Sequence, residues 1–499
     1  MIITWVRARE QIVQLALCLL VGTLSGGILL LPLDIKWEIA VLGVMGIIVL
    51  MLVTKSPERV LLCMLAFIVP FLLGKAIAQR PESTNYNTNV SIYLSDIFAL
   101  ILLLIILGKV AGKFVGISSF SPILVPALAW LIASSFSLLA AKDGELSIFQ
   151  LINMGKMVLL CWVIASSVKN DGDLTIVITG LLLSMGFQSL VGIYQGVTGH
   201  PLGLGFLSEA SSVAQQQLSQ GLVNRVQGTL GSPNTFAIYL STGVAFAWVV
   251  LFSEAKPFVK ILATMTLGLI SCALIFSLSR TAWANFVVTI CVVLVLAVRR
   301  KRISAKSAIV VASTTALVVL VVALFGWDLI MSRLTSSDQG STSSRITMAE
   351  AALAIIRDNP AVGIGLNNYA LVSPRYDMAD AASWNNYTPI VHNAYLLITA
   401  ETGIIGLAAF IFFLVILLIQ AWRIINQAPN DTVWVASVGI LGALIAMTIH
   451  SMVDYVLLGS GVVFTQFWLL AGLTAALVQR LDNEKLNSRR IISSSITEA

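Results

Sequence analysis

The stretch His392–Trp422 reads HNAYLLITAETGIIGLAAFIFFLVILLIQAW, and it decides the fold class. Its residues from Thr402 to Ala421 carry no charge, and a run of about 20 apolar residues is long enough for an α-helix to cross a bilayer. The start of the stretch is more polar and holds one of only three histidines in the chain. The sequence therefore predicts a membrane-spanning helix with a histidine at its mouth.

The same apolar pattern recurs along the chain. Hydrophobic residues make up 58% of its 499 residues and charged residues 11%, whereas soluble globular proteins carry roughly 25% charged residues. Apolar stretches are centred near Leu20, Gly46, Ala66, Leu102, Leu131, Leu160, Leu181, Ala245, Leu267, Val292, Val318, Phe412, Leu444 and Leu470. We therefore predict an all-α polytopic integral membrane protein with about 12–14 transmembrane helices, which excludes a soluble enzyme, a collagen and a disordered chain.

The basic residues are distributed unevenly between the loops. If the N-terminus is cytoplasmic, 19 of the 30 Lys and Arg residues fall in short cytoplasmic loops and tails, as the positive-inside rule requires. The same bias explains the formal net charge of +6, so no nucleic-acid partner is predicted. We expect a multi-pass protein of the cell inner (cytoplasmic) membrane, with both termini cytoplasmic and membrane lipids around it.

This orientation divides the chain into six segments. They are an N-terminal transmembrane bundle (1–194), an outer loop (195–233), transmembrane helices (234–326), a large outer, periplasmic-side loop with amphipathic helices (327–391), C-terminal transmembrane helices (392–478) and a cytoplasmic tail (479–499). Loops longer than about 15 residues are usually functional or disordered, so the two outer loops are the first candidates for a site.

An amphipathic helix is predicted within the larger outer loop. The segment from Arg345 to Asp358 has a helical spacing of apolar residues and ends before a proline. The predicted apolar face consists of Ile346, Ala349, Leu353 and Ile356.

The outer loops contain arginine but no lysine. Their arginines are Arg225, Arg333, Arg345, Arg357 and Arg375. A guanidinium binds phosphate oxygens in a bidentate way, so these residues fit a phosphate-bearing ligand at the membrane surface. The alternative is that they only form salt bridges with acidic residues of the same loops.

Two cationic residues are predicted close to the membrane. Arg280 lies at the outer junction of two apolar stretches. A charged side chain within a bilayer costs free energy, so its presence there indicates function, unless the side chain extends to the lipid headgroups. Lys156 continues a polar stripe with Gln150 and Asn153 at helical spacing. That stripe faces either a neighbouring helix or a wet cavity, unless the helix boundary is misplaced.

His392 is the residue best suited to proton transfer. An imidazole can accept a proton from a hydroxyl near neutral pH, and the outer mouth of a helix is accessible to a substrate. The alternative is a histidine that only caps the helix or lies at the interface. His450 and Asp454, one helical turn apart, are either a pair that supports the site or a structural hydrogen bond.

Several signatures of other chemistry do not occur in the sequence. There is no Walker phosphate loop, no Gly-x-Ser-x-Gly elbow and no cluster with metal-ligand spacing. The five cysteines all lie in apolar stretches. We therefore predict no metal, no cofactor and no ATP use.

Four motifs resemble a known family when they are taken together and in order. They are Arg225-Val-Gln-Gly-Thr-Leu-Gly-Ser-Pro-Asn234, Ser279-Arg280-Thr-Ala-Trp283, Ser344-Arg345 leading to Asn359-Pro-Ala-Val-Gly-Ile-Gly365, and His392-Asn393 followed by Glu401-Thr-Gly-Ile-Ile-Gly406. Their order and predicted outer location resemble the O-antigen ligase and O-antigen polymerase superfamily. The resemblance covers about residues 225–406.

The resemblance implies a membrane glycosyltransferase that needs neither metal nor ATP. Its donor would be a polyprenyl-diphosphate-linked glycan, and its acceptor a glycan, a lipid core or a protein. Arg280 and Arg345, with Arg225 as a third contact, would bind the diphosphate, while His392 would deprotonate or orient the acceptor hydroxyl. Possible supporting residues are Asn393, Asn234, His450 and Asp454. Gly403 and Gly406 would let the His392 helix pack closely on a neighbour.

Other functions remain open at the level of sequence. A transporter of inorganic carbon (bicarbonate) or of a lipid-linked glycan would use Lys156 and Arg280 along a pathway, and it predicts pseudo-symmetric halves and polar residues at the midplane. The sequence contains few charges within its apolar stretches and no evident repeat, which favours the transferase. A non-catalytic subunit of a polysaccharide assembly is a third possibility, and the sequence does not choose between ligase and polymerase.

Overall fold

The computed structural model describes residues 56–80, 86–112, 121–218, 221–311, 341–376, 390–458 and 461–497, together with four single residues. Its α-helices are α1 (Pro57–Ile68), α2 (Leu94–Ala111), α3 (Leu124–Ser135), α4 (Gly144–Ser167), α5 (Asp171–Thr198), α6 (Pro233–Leu251), α7 (Pro257–Ser277), α8 (Arg280–Arg299), α9 (Ser341–Asp358), α10 (Tyr369–Val372), α11 (Ala394–Gln427), α12 (Asp431–His450) and α13 (Val462–Thr497). Two antiparallel hairpins pair β1 (Gly74–Gln79) with β2 (Asn89–Tyr93) and β3 (Ala214–Leu218) with β4 (Gly221–Arg225).

Nine of the described helices are long and apolar enough to cross a membrane. They are α2, α4, α5, α6, α7, α8, α11, α12 and the Val462–Leu486 part of α13. Two more predicted stretches form the shorter helices α1 and α3. The stretches near Leu20 and Val318, and nearly all of the one near Gly46, lie outside the described residues. The protein is therefore an all-α polytopic membrane protein, as the composition predicts.

Helices α6 and α12 pack closely at the centre of the bundle. Gly439 of α12 lies against Phe246 of α6, and Gly442 lies against Ala245, so small residues let the two backbones approach. The end of α12 also meets the start of α11, where the Ala394 amide donates to a carbonyl beyond α12 over 2.9 Å. One end of the bundle thereby collects the starts of α6 and α11 and the end of α12.

Helix α11 is broken at Gly403, and the break receives a loop rather than a helix. Gly403 has φ +66° and ψ −172°, and a Cβ there would lie 2.0 Å from the carbonyl oxygen of Ala361. The carbonyls of Ala400 and Glu401 accept from the amides of Ile364 and Gly365. The close neighbour at Gly403 is therefore the 360–365 loop, which pairs with the freed backbone groups.

The amphipathic helix exists as α9, but its predicted apolar face is wrong. Ile346 and Leu353 are 56% and 54% exposed. The buried face is instead formed by Met348, Ala351, Ala352 and Ile355. The reason is a tertiary contact: the Tyr369 hydroxyl donates to the Met348 carbonyl over 3.1 Å, and this fixes which side of α9 faces the protein.

The polar stripe of α4 packs against the first hairpin. The Gln150 side-chain oxygen accepts from the side-chain Nδ2 of Asn87 over 2.9 Å, and Lys156 forms an ion pair with Asp96 over 2.6 Å. The Lys156 ammonium also donates to the Ser91 carbonyl. These partners give Lys156 a structural role at the start of α2.

Candidate functional site

The site begins with the cap of α11. The Asn393 side chain accepts from the amides of Tyr395 and Leu396, each over 3.0 Å, and so satisfies two otherwise unpaired helix donors. Its amide nitrogen also donates to the Met452 carbonyl over 3.0 Å. Asn393 is therefore the cap, which leaves the preceding His392 side chain available for another partner.

That partner is Asp454, which follows α12 and lies 62 positions away in sequence. The Nδ1 atom of His392 lies 3.4 Å from Oδ1 of Asp454. The exposed fractions of the two side chains are 23% and 11%, respectively. A carboxylate at Nδ1 favours the tautomer whose proton is on Nδ1 and leaves Nε2 with its lone pair. The geometry therefore suits an oriented general base.

Asp454 accepts from three sides. Its Oδ1 atom also accepts from the Tyr455 amide over 2.8 Å, and its Oδ2 atom accepts from the Asn234 side chain over 3.4 Å. Burial by itself raises the pKa of Asp454, but the hydrogen bond and charge of His392, the charge of His450 and the Tyr455 amide outweigh it, so the pKa lies below its usual value. Asp454 is thereby held as an anion beside His392.

Asn234 connects this pair to an arginine. Arg225, at the end of β4, donates from Nη2 to the Asn234 side-chain oxygen over 3.0 Å and from Nε to the Ser277 carbonyl over 3.0 Å. Ser277 ends α7, three residues before Arg280 at the start of α8. Arg225, Asn234, Asp454 and His392 thus form a continuous series, and the start of α8 lies beside it.

The other candidate arginines lie in different parts of the protein. Arg280 is half-buried at the first residue of α8. Arg345 is exposed on α9 and interacts electrostatically with His450 at the end of α12. Arg357 and Arg375 lie elsewhere in the same loop, and Arg333 lies outside the described residues. The structure therefore brings Arg345 to the His450 side of the site and Arg225 to the Asn234 side.

His450 is buried with 2% exposure, and its Nδ1 atom has no hydrogen-bond partner among the described residues. The predicted alternatives for His450 and Asp454 included a structural hydrogen bond between them. Asp454 hydrogen-bonds His392 instead, and its interaction with His450 is electrostatic.

The backbone amides of the glycine-containing motif before α6 form structural hydrogen bonds with buried side chains. The amides of Gln227 and Gly228 donate to the Gln195 side-chain oxygen, and the Thr229 amide donates to that of Gln188. Both glutamines lie on α5 and are buried. The sequence analysis did not identify these two glutamines. A polar residue within an apolar stretch indicates a buried polar contact, but it does not indicate the partner in that contact.

Two tyrosines were also missed, one next to His392 and a second next to the first. The ring centroid of Tyr455 lies 5.6 Å from that of His392, and Tyr86 lies 6.2 Å from Tyr455. The Tyr86 hydroxyl donates to the buried carboxylate of Glu401 over 2.7 Å. Glu401 belongs to a motif quoted above, but nothing in its spacing indicates Tyr86, which is 315 residues away.

Comparison with known proteins bears directly on this site. A family model described as O-antigen ligase matches residues 265–411. These residues are therefore similar to the O-antigen ligase family. The match includes Arg280, Arg345, His392 and Asn393, and it ends before Asp454. It confirms the resemblance to the O-antigen ligase and polymerase superfamily.

Two further comparisons add little. A chain from a solved structure described as "Structural coordination of polymerization and crosslinking by a peptidoglycan synthase complex" is similar at 15% identity, with a TM-score of 0.37 over 72% of this chain and 97% of that chain. No curated protein matches the chain. The family match therefore carries the functional assignment.

At the level of the family, the match to O-antigen ligase indicates glycosyltransferase-type activity in polysaccharide biosynthesis, and it does not favour the transporter alternative. The substrates expected at this level are a lipid-linked glycan donor and a glycan or lipid acceptor. Together with the apolar helices, the match indicates a protein of the bacterial inner membrane.

Proposed function

We propose that the protein transfers a glycan from polyprenyl diphosphate to an acceptor hydroxyl, with His392 as the general base. The supporting observation is the series His392, Asp454, Asn234 and Arg225, which joins an oriented imidazole to a guanidinium at one end of the bundle. Glycan transfer of this type needs both groups: a base for the hydroxyl and a cation for the diphosphate that departs.

The reaction is a displacement at the anomeric carbon of the donor sugar. The acceptor oxygen forms a bond to that carbon while its proton moves to Nε2 of His392. The bond from the anomeric carbon to the diphosphate oxygen breaks, and its electron pair leaves with the diphosphate. Asp454 stabilises the imidazolium that forms, because its anionic carboxylate accepts from Nδ1.

The arginines act on the leaving group. Arg280 and Arg345, with Arg225 as a third contact, bind the diphosphate and stabilise its added charge as the bond breaks. A guanidinium stays protonated throughout the physiological range, so this function does not depend on pH. No metal or nucleotide takes part in the proposed step.

The active end of the bundle faces the periplasm in this proposal, and both chain termini are cytoplasmic. The support is the charge of the opposite end, where α8 ends at Arg299 and is followed by Arg300, Lys301 and Arg302. A lipid-linked donor in the outer leaflet then reaches His392 without crossing the membrane.

The test is a complementation experiment in a strain that lacks the gene. Wild type, His392→Ala, Arg345→Ala and the control His200→Ala, an exposed loop histidine, are expressed at matched levels. We expect wild type and the control to restore long surface glycan. His392→Ala and Arg345→Ala are expected to lose it and to accumulate the lipid-linked precursor.

Two outcomes would contradict the proposal. Full glycan with His392→Ala removes the general base from the mechanism. Unchanged glycan in the deletion strain itself, with altered inorganic-carbon uptake, would instead support the transporter alternative.

A further inference from the structure

His392 has two kinds of neighbour. The first is polar: Asp454 leads through Asn234 to Arg225. The second is aromatic: Tyr455 lies 5.6 Å from the imidazole, and Tyr86 lies 6.2 Å beyond Tyr455. We call these two tyrosines the aromatic pair. A transferase must hold an anionic donor and a sugar acceptor at the same time, and the polar and aromatic neighbours have suitably different chemistry.

The aromatic pair is held in place by polar contacts outside its rings. Tyr455 donates its backbone amide to Asp454 over 2.8 Å, so its position is tied to the carboxylate that orients His392. Tyr86 donates its hydroxyl to Glu401. Glu401 is fully buried and also accepts from the Tyr369 amide over 3.1 Å. Rings fixed in this way lose little conformational freedom when a ligand binds, which favours affinity.

Both phenols remain neutral at physiological pH. Burial and, to a smaller extent, the nearby Asp454 charge raise the pKa of Tyr455 to about 12. Burial and the charge of Glu401 raise the pKa of Tyr86 well above its usual value. A neutral phenol combines an apolar ring face with a polar edge, which suits a pyranose that has C–H groups on its faces and hydroxyls at its rim.

We propose that the aromatic pair, Tyr455 and Tyr86, is the binding platform for the acceptor sugar. The acceptor ring stacks on Tyr455 and directs one hydroxyl toward Nε2 of His392, and the donor diphosphate occupies the Arg225 end of the polar series. Tyr86 extends the platform to a second sugar residue. The inference rests on the proposed transfer and adds to it an assignment of the acceptor to the aromatic pair and of the donor to the Arg225 end of the polar series.

The experiment separates the two substrates kinetically. Full-length protein in lipid nanodiscs is given two fractions extracted from the deletion strain: the polyprenyl-linked glycan as donor and the envelope glycolipid as acceptor. Each fraction is titrated while the other is held in excess. The variants are Tyr455→Ala, Tyr455→Leu, Tyr455→Phe and Arg225→Gln, with Tyr194→Ala, an exposed tyrosine of α5, as the control.

We expect Tyr455→Ala and Tyr455→Leu to raise the half-saturating amount of acceptor by up to about tenfold, while the value for donor stays unchanged. Tyr455→Phe keeps the ring and stays within about twofold of wild type. Arg225→Gln gives the reverse pattern, with a higher half-saturating amount of donor. Tyr455→Leu keeps the result interpretable if the alanine variant does not fold.

An unchanged acceptor value in Tyr455→Leu, or an increase for donor alone, overturns the platform. If His392→Ala remains active in the same assay, the proposed base is wrong, whatever Tyr455 does. If wild type transfers nothing between the two fractions, both the proposed function and the platform fail.

Discussion

The two ends of the bundle use a buried aspartate in different ways. Asp173, at the start of α5, accepts from the Arg59 guanidinium over 2.9 Å and from two backbone amides. Asp454, at the other end, accepts from an imidazole, a side-chain amide and one backbone amide. The first carboxylate is neutralised by a permanent cation, whereas the second faces a group that can gain or lose a proton.

The residues around the two aspartates differ in the same way: ion pairs dominate at one end and neutral hydrogen-bond partners at the other. Near Asp173, further ion pairs connect Arg480 with Asp171 over 2.7 Å and Arg302 with Glu254 over 2.7 Å. Near Asp454, the contacts of Arg225 described above go to the neutral oxygens of Ser277 and Asn234. The comparison shows that a buried aspartate holds the helices together through ion pairs at one end, whereas at the other end it is arranged for proton transfer.

The largest expected effect is that of Asp454→Asn on activity. An amide can donate to Nδ1 of His392 and so favour the wrong tautomer, which should lower the transfer rate by about 100-fold while the protein still folds. The measurement is the transfer rate at matched levels of folded protein. Activity within twofold of wild type would show that the two aspartates are equivalent and would break the comparison.

The next effect tests whether the active end depends on the break in α11. A Cβ in Gly403→Ala would meet the Ala361 carbonyl at 2.0 Å in a left-handed backbone conformation, so we expect a loss of more than about 2 kcal/mol of stability. Gly268→Ala on α7 is the matched control, because its Cβ meets nothing within 4 Å. Thermal unfolding in detergent measures both, and equal melting temperatures would contradict the structural role of the break.

A smaller effect is expected at the opposite end. Asp173→Asn weakens the ion pair with Arg59, whose side chain is 44% exposed, so solvent screening limits the cost to about 1 kcal/mol. The transfer rate should stay within twofold of wild type at matched protein levels. A tenfold loss of activity without a loss of folded protein would mean that this end also takes part in the reaction.

The smallest effect is a pH dependence of stability. The pKa of Asp454 is lower in the folded protein than in an unfolded chain, so its ionisation adds stability above the ordinary pKa of about 4, and this is lost as the pH falls through the lowered value. The stability advantage of wild type over Asp454→Asn should therefore shrink in acid. Unfolding temperatures of both proteins at neutral and acid pH provide the test, and a constant difference would contradict the lowered pKa.

Local sequence signals predicted the positions of many elements. Each of the nine long apolar helices falls on a predicted stretch, because a run of apolar residues of membrane length has few alternatives to a helix. The helix before Asn359 follows from a short-range pattern in the same way, whereas the cap of α11 is Asn393 and not His392. The face of α9 did not follow, because alanines pack inward on the Tyr369 side while Ile346 and Leu353 remain exposed.

By itself, then, the sequence determined the membrane class, the apolar helices and the family motifs that contain Arg280, Arg345 and His392. Only the tertiary structure decided that Asp454 pairs with His392, that Asn234 links Asp454 to Arg225, and that Tyr455 lies beside the imidazole. The physical reason is separation in sequence. Helix formation and capping depend on neighbours within a few residues. These contacts instead join positions 62, 220 and 63 residues apart, so they exist only after the helices pack.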